Sequence, residues 1–266
     1  MESYAEQGAG ADSIEQIGFG GARRTKKKHR GLTVFQLKVI GAVALALSAG
    51  STTIVPLFFG SDVNNMTSLT ALVLSEVISW FAIPIYAWLL VQGFRETHSR
   101  VAYGLRLFIL AVVCEVPYDL CTSHKAFDFG SQNPVFGLFI AFVVLVVLDW
   151  VAARYQKSMK IVLSVGLVLI GLLWDLLLRV GLRQHMMSVG AVTLGFVLIF
   201  TLMRQHENSM MFTAGLFGAM IMPGIGVAFV HYYNGELGYK RQWTKWAFYA
   251  AYPVILIFCA IGATLA

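Results

Sequence analysis

The chain has 266 residues, of which 58% are hydrophobic and 13% are charged, and its mean hydropathy is +0.70. This composition excludes a water-soluble globular domain and also a disordered or collagen-like chain. The net charge of +6 comes from short basic clusters between long apolar stretches, so we predict an all-α, polytopic transmembrane helical bundle in a lipid bilayer.

The chain starts with a polar segment, residues 1–31, that ends in a basic run from Arg23 to Arg30. We predict a disordered N-terminal tail here and a single transmembrane helical domain over residues 32–266. The basic run precedes an apolar stretch and has no aromatic residues or folded domain beside it. It is therefore expected to contact anionic lipid, and we predict no nucleic-acid partner. The chain is expected to be a multi-pass protein of the cytoplasmic membrane with its amino terminus in the cytoplasm.

Eight segments approach the roughly 20 apolar residues that a helix needs to cross the hydrocarbon core. These candidate spans are residues 34–59, 69–91, 101–121, 134–152, 160–179, 186–203, 209–232 and 243–265. If all eight cross, the loops with Arg183 and Lys240 lie opposite the other basic loops, against the positive-inside rule. A re-entrant segment at either 186–203 or 209–232 would return Lys240 to the cytoplasmic side, and the proline-glycine break at residues 223–226 favours 209–232.

Acidic residues inside the candidate spans are site hypotheses, because an unpaired charge in lipid is costly. They are Glu76, Glu115, Asp119, Asp149 and Asp175. Asp175 has Arg179 four residues later, so we predict an ion pair on one helix face. Glu115 and Asp119 have the same spacing but repel each other, and Pro117 lies between them. The sequence predicts that these two acids face a wet cavity, and it leaves open whether they are functional groups or interhelical ties.

Motifs of soluble enzymes are missing from the sequence, which has no phosphate-binding glycine loop, no nucleophile elbow and no pair of metal ligands on one helix. We therefore predict no metal site. Asn133 followed by Pro134 has the pattern of a helix N-cap with proline in the first turn. We expect a helix to begin there.

Blocks of residues along most of the chain resemble the TraX proteins. These are polytopic membrane proteins named for the one that N-acetylates F-type conjugative pilin, with relatives in fimbrial assembly. The similar blocks are residues 37–40, 81–84, 92–95, 99–107, 115–120, 127–133, 232–238 and 248–253. The most specific is the glutamate, proline and aspartate box of residues 115–120. The order and spacing of the blocks also agree with the family pattern.

The resemblance implies acyl transfer within the membrane, from acetyl-CoA to an amine of a pilin or another surface protein, or to a surface sugar. On this hypothesis Glu115 and Asp119 are the catalytic residues, as a base or as groups that frame the acceptor. The residues expected to hold the CoA phosphates or to orient the donor are Arg95, Arg106, Gln132, Asn133, Asn234, Lys240 and Arg241.

The chain departs from the family pattern at positions that handle protons. The family pattern has an aspartate-histidine pair where this chain has Ser48 and Ala49, and a histidine where this chain has Ile255. It also has a glutamate where this chain has Gln92, and its aspartate-tyrosine-glycine segment is degenerate around residues 184–187. Because a fold alone does not define a function, three hypotheses stand. The chain is an acyltransferase, active or catalytically degenerate; a non-enzymatic membrane component of a pilus, fimbria or conjugation assembly; or a small-solute or proton-coupled transporter.

Overall fold

The computed structural model describes residues 31–59, 65–183, 187–221, 223–239, 241 and 243–265. The helices are α1 (Val34–Phe59), α2 (Met66–Ser79), α3 (Ala82–Glu96), α4 (Arg100–Ser123), α5 (Pro134–Arg154), α6 (Lys157–Leu177), α7 (Val189–Leu202), α8 (Glu207–Ile221), α9 (Gly224–His231) and α10 (Trp243–Leu265). The strands β1 (Leu182–Arg183) and β2 (Met187–Ser188) pair in antiparallel orientation. The predicted all-α polytopic bundle is confirmed. The predicted tail lies outside the described residues, apart from Gly31.

Six segments of the described chain are long and apolar enough to cross a membrane. They are Val34–Ser51, Met66–Glu96, Arg100–Ser123, Pro134–Arg154, Lys157–Leu177 and Trp243–Gly262. The second of them is interrupted between α2 and α3, because in a continuous helix the ring of Pro84 would clash with the carbonyl of Trp80, four residues earlier. A shorter apolar helix, α7, has 14 residues. The chain is therefore a multi-pass membrane protein.

The helices begin and end at two opposite ends of the bundle. We name the end at which α1 begins the amino end, and the opposite one the far end. At the amino end, Leu32 forms a bridge with Tyr233 just before α1 begins. The ring of Tyr233 also lies 4.4 Å from that of Trp88 in α3. At the far end, Gln132 before α5 forms a bridge with Val180 after α6. The successive helices α1, α2–α3, α4, α5, α6 and α7 therefore alternate between these two ends.

Helices α8 and α9 form a re-entrant hairpin that starts and finishes at the amino end. Their turn at Pro223 lies inside the bundle, because Gly226 packs on the break between α2 and α3. A Cβ atom at Gly226 would lie 2.5 Å from the carbonyl oxygen of Phe81 and 2.6 Å from the ring of Pro84, so only glycine permits this approach.

The predicted span 209–232 thus turns back inside the bundle, which leaves seven segments of the described chain as candidates to cross the membrane, six long ones and the shorter α7. Helix α10 then runs parallel to α1, since Phe248 near its start stacks edge-on against Phe35 with ring centroids 5.5 Å apart. Basic residues of the described chain now concentrate at the amino end: Arg95, Arg100, Arg154, Lys157, Lys160, Arg204, Arg241 and Lys245. The far end of the described chain has Lys125, Arg179 and Arg183. The conflict with the positive-inside rule, which arose from counting eight full crossings, therefore disappears.

This topology predicts that the start of α1 and the end of α10 lie on opposite sides of the membrane. A reporter fused after Ala266 is expected in the compartment opposite to a reporter inserted at residues 155–156, between α5 and α6. Paired alkaline phosphatase and fluorescent-protein fusions measure this directly, and an insertion at residues 203–206 is the matched control for the amino end. If the reporters after Ala266 and at 155–156 are in the same compartment, α8 and α9 do cross and the seven-span topology is wrong.

Candidate functional site

A cavity of about 130 Å³ lies inside the bundle between α1, α2, α3, α4, α5, α7 and α10. Its lining runs from Tyr86 and Phe248, on the amino side, to Pro134 and Gly181 near the far end. The polar members of the lining are Ser48, Glu76, Ser79, Tyr86, Tyr118, Cys121, Thr193 and Tyr252. A volume of this size holds several water molecules or a small organic group, but no molecule the size of CoA.

Glu76 is the carboxylate of this lining, and its side chain is only 7% exposed. The hydroxyl of Ser51 donates to one of its oxygens at 3.3 Å, and the indole N–H of Trp80 donates to the other at 3.3 Å. Trp80 is the C-cap of α2, four residues after Glu76 and one turn before Pro84. An intramembrane carboxylate that lines a cavity is by default a functional-site candidate. The sequence identified Glu76 as an intramembrane acid, but only the packing shows that it faces a cavity.

Three of the positions that depart from the family pattern lie in or next to this cavity. Ser48 and Ala49 line the cavity, and Ala49 belongs to one apolar cluster with Tyr252 and Leu256 of α10. Ile255 packs against this cluster. The two spans in which the resemblance implies histidines therefore meet at the cavity, with Ala49 in its lining and Ile255 outside the lining, against the adjacent apolar cluster.

Glu115 and Asp119 occupy a different place and do not belong to the cavity lining. Glu115 accepts a hydrogen bond from the backbone N–H of Asn133 at 3.1 Å and another from its side-chain amide. Asp119 accepts a hydrogen bond from the backbone N–H of Asp128 at 2.9 Å. Both acids thus bind the segment between α4 and α5. Their catalytic role stays a prediction. Helix α4 continues through Pro117, which lies between them.

Each of these two acids also has one buried oxygen without a hydrogen-bond partner among the described residues, Oε1 of Glu115 and Oδ1 of Asp119. Asp119 is 2% exposed. A buried oxygen of this kind requires a proton, a water molecule or another donor, because an unpaired polar atom in a low-dielectric site is costly. The pair therefore keeps the capacity to bind one further donor.

Asn133 is the N-cap of α5, as the sequence predicted, and it is fully buried. Its side-chain oxygen accepts from the backbone N–H of Val135 at 3.0 Å, and its amide donates to the carbonyl of Ala111 at 2.8 Å and to Glu115. Gln132 is engaged through its backbone, which donates to Arg179 and accepts from Gly181. Neither residue lies beside the basic amino end, so the structure separates them from the other residues expected to bind the donor.

Those other residues lie at the amino end. Arg95 and Arg241 are exposed, and the guanidinium of Arg106 donates to the carbonyl of Ala102 at 2.9 Å. The amide of Asn234 donates to the carbonyl of Gly31 at 3.3 Å, which joins the loop before α10 to the start of α1. Lys240 lies outside the described residues. Along α4, Arg106 and Glu115 are nine residues and about 13 Å apart, so the predicted site is divided between the two ends.

The predicted ion pair of Asp175 and Arg179 does not form. Arg179 lies beyond the end of α6 with a left-handed backbone, φ 50°, which turns its side chain out of the helical i, i+4 position. Asp175 is fully buried against Gly190. Both of its carboxylate oxygens have no hydrogen-bond partner among the described residues. A different ion pair, between Arg100 and Asp149, does form in the described part of the chain.

Comparison with known proteins agrees with the architecture and with the motif blocks. The family model of the TraX protein matches residues 55–261, well over half of the chain. The match includes Glu76, the 115–120 box and position 255, and it starts after Ser48 and Ala49. No curated protein and no solved structure matches the chain. On the extent of this match, the chain belongs to the TraX family of membrane proteins.

Proposed function

We propose that the protein transfers an acetyl group from acetyl-CoA to an amine of a pilin or another surface protein, inside the cytoplasmic membrane. The observation that supports this most is a buried carboxylate, Glu76, in a cavity whose walls come from the spans that carry the family's proton-handling positions. Membership of the TraX family supports an association with pilus or conjugation assembly.

In this proposal the two ends of the bundle admit different substrates. The basic amino end, placed in the cytoplasm by the positive-inside rule, binds the phosphates of CoA through Arg95, Arg106 and Arg241. The CoA body stays outside the cavity, because about 130 Å³ accepts only a small group. The acceptor amine enters the cavity from the far end, so the two substrates meet near Glu76.

The proposed chemistry requires two proton transfers and one acyl transfer. Glu76 removes a proton from the acceptor ammonium group, and the free amine attacks the thioester carbonyl. A carbon-nitrogen bond forms as the carbon-sulfur bond breaks. The CoA thiolate leaves and takes up the second proton, which the attacking nitrogen loses as the amide forms, and protonated Glu76 releases the first proton to water. Hydrogen bonds from Ser51 and Trp80 fix the orientation of the carboxylate, so less conformational entropy is lost when it reacts.

A non-enzymatic role in a pilus or conjugation assembly is the second candidate, and a specific observation favours it. Ala49 and Ile255 provide no group that can exchange a proton at positions where the family pattern has histidine. In this case Glu76 is an interhelical tie to Ser51 and Trp80. The two candidates differ in donor binding, which only the enzyme requires.

Binding of acetyl-CoA to detergent-purified protein, measured by calorimetry, tests the proposal. Saturable binding is expected, and Arg241→Gln should weaken it about tenfold, because a charge-assisted hydrogen bond contributes about 1.5 kcal/mol or more. Lys125→Gln, which removes the same charge at the far end, should leave the affinity unchanged. A folded sample without saturable binding would contradict acyl transfer and favour the non-enzymatic role.

A further inference from the structure

A groove of about 430 Å³ lies between α4 and α5 on the outer surface of the bundle, apart from the cavity. Leu105 and Phe108 form one wall and Val143 belongs to the other. All three are exposed apolar side chains on membrane-spanning helices. Gly104 and Phe142 form the floor, since a Cβ atom at Gly104 would lie 2.7 Å from the Phe142 ring.

Arg100 closes the groove at the amino end. One of its terminal nitrogens lies 2.6 Å from a carboxylate oxygen of Asp149, and its guanidinium carbon lies 4.7 Å from the centre of the Phe94 ring. These contacts fix the position of the guanidinium, yet the side chain is 47% exposed. A guanidinium has five N–H donors, so donors remain available to a ligand at the mouth of the groove.

The surroundings of Arg100 select an anion. Arg154 ends α5, and Lys157 and Lys160 begin α6 at the same end of the bundle. Together with Arg100, these basic groups outnumber the nearby acids Asp149 and Glu96. From Arg100 to Phe108, eight residues of helix rise about 12 Å. A ligand that fits therefore has an anionic group at the membrane surface and an apolar chain that extends into the bilayer.

We infer that this groove binds one acyl chain of an anionic phospholipid whose phosphate contacts Arg100. Asp149 competes with the phosphate for the guanidinium, so the ion pair weakens lipid binding. The site does not depend on acyl transfer, because neither Glu76 nor the cavity takes part in it.

Native mass spectrometry of the detergent-purified full chain can test this site with phosphatidylglycerol and phosphatidylcholine of identical acyl chains. Phosphatidylglycerol is expected to bind more tightly. Arg100→Gln should weaken its binding about fivefold, since one basic group near an anionic surface contributes about 1 kcal/mol. Asp149→Asn should strengthen it. Arg204→Gln is the control, because it removes the same charge at the same end without touching the groove.

The apolar part of the site has its own matched pair of variants. Leu105→Trp fills the groove and should reduce the binding of phosphatidylglycerol, whereas Ile109→Trp, one turn further along α4 and outside the lining, should not. Equal binding of the two lipids, or an equal loss in Arg100→Gln and Arg204→Gln, would overturn the inference. Displacement of phosphatidylglycerol by acyl-CoA would do the same, because the groove would then be part of the donor site.

Discussion

Replacing Glu76 by Gln is expected to lower the rate of acyl transfer by about 100- to 10,000-fold, the range for loss of a general base. The amide has the shape of the carboxylate, and its oxygen can still accept a hydrogen bond from Ser51 or Trp80. It cannot remove a proton from the acceptor. The amount of folded protein in the membrane should therefore stay near that of the unchanged chain, and transfer of radiolabelled acetyl from acetyl-CoA is the measurement.

Glu115→Gln is the comparison variant, because it removes the other candidate base on which the sequence prediction depended. The amide introduced by this substitution keeps an oxygen that accepts from Asn133, so the fold should survive and the cavity should be unaffected. Loss of transfer in Glu76→Gln with retention in Glu115→Gln would assign the base to the cavity. The reverse result would return the chemistry to Glu115 and Asp119, and retained transfer in both variants would remove both from the mechanism.

Asn133→Ala is expected to destabilise the folded protein by about 2 to 4 kcal/mol. Loss of an N-cap costs about 1 kcal/mol, and the buried carboxylate of Glu115 and the carbonyl of Ala111 lose a donor, at a cost of about 1 to 3 kcal/mol. The change should appear as a lower midpoint of thermal unfolding in detergent and as reduced abundance in the membrane.

The matched control is Asn65→Ala, which removes the N-cap of α2. Asn65 accepts from the backbone N–H of Thr67 at 3.1 Å, as Asn133 does from Val135, but it is exposed. Its loss should cost only the capping contribution of about 1 kcal/mol. Equal shifts of the unfolding midpoint in the two variants would mean that the contacts of Asn133 with Glu115 and Ala111 add no stability.

Features that depend on local chemistry or on hydropathy could be predicted from the sequence. The membrane-spanning, all-helical class follows from composition, because a backbone in lipid must satisfy its hydrogen bonds within one segment. The start of α5 follows from Asn133 and Pro134, because an N-cap is made by residues next to one another. The family could also be predicted from the sequence, since its motif blocks retain their order along the chain.

Features that depend on which surfaces meet required the tertiary structure. The ion pair of Asp175 and Arg179 was predicted from helical spacing, but α6 ends between these residues in the bundle. Residues predicted to form one donor and base site are divided between the two ends. Glu76 became the stronger site candidate because α1, α4 and α10 pack around it to leave a cavity.

The sequence by itself determined the fold class, the family and most of the spans. Only the tertiary structure decided that residues 209–232 turn back inside the bundle and that Ala49, Glu76 and Tyr252 line one cavity. The physical reason is that hydropathy measures the free energy of transfer from water to an apolar medium. That free energy is the same for a segment that faces lipid and for one that is buried among helices. The difference depends on close backbone contacts, such as Gly226 against Phe81, between residues far apart in the chain.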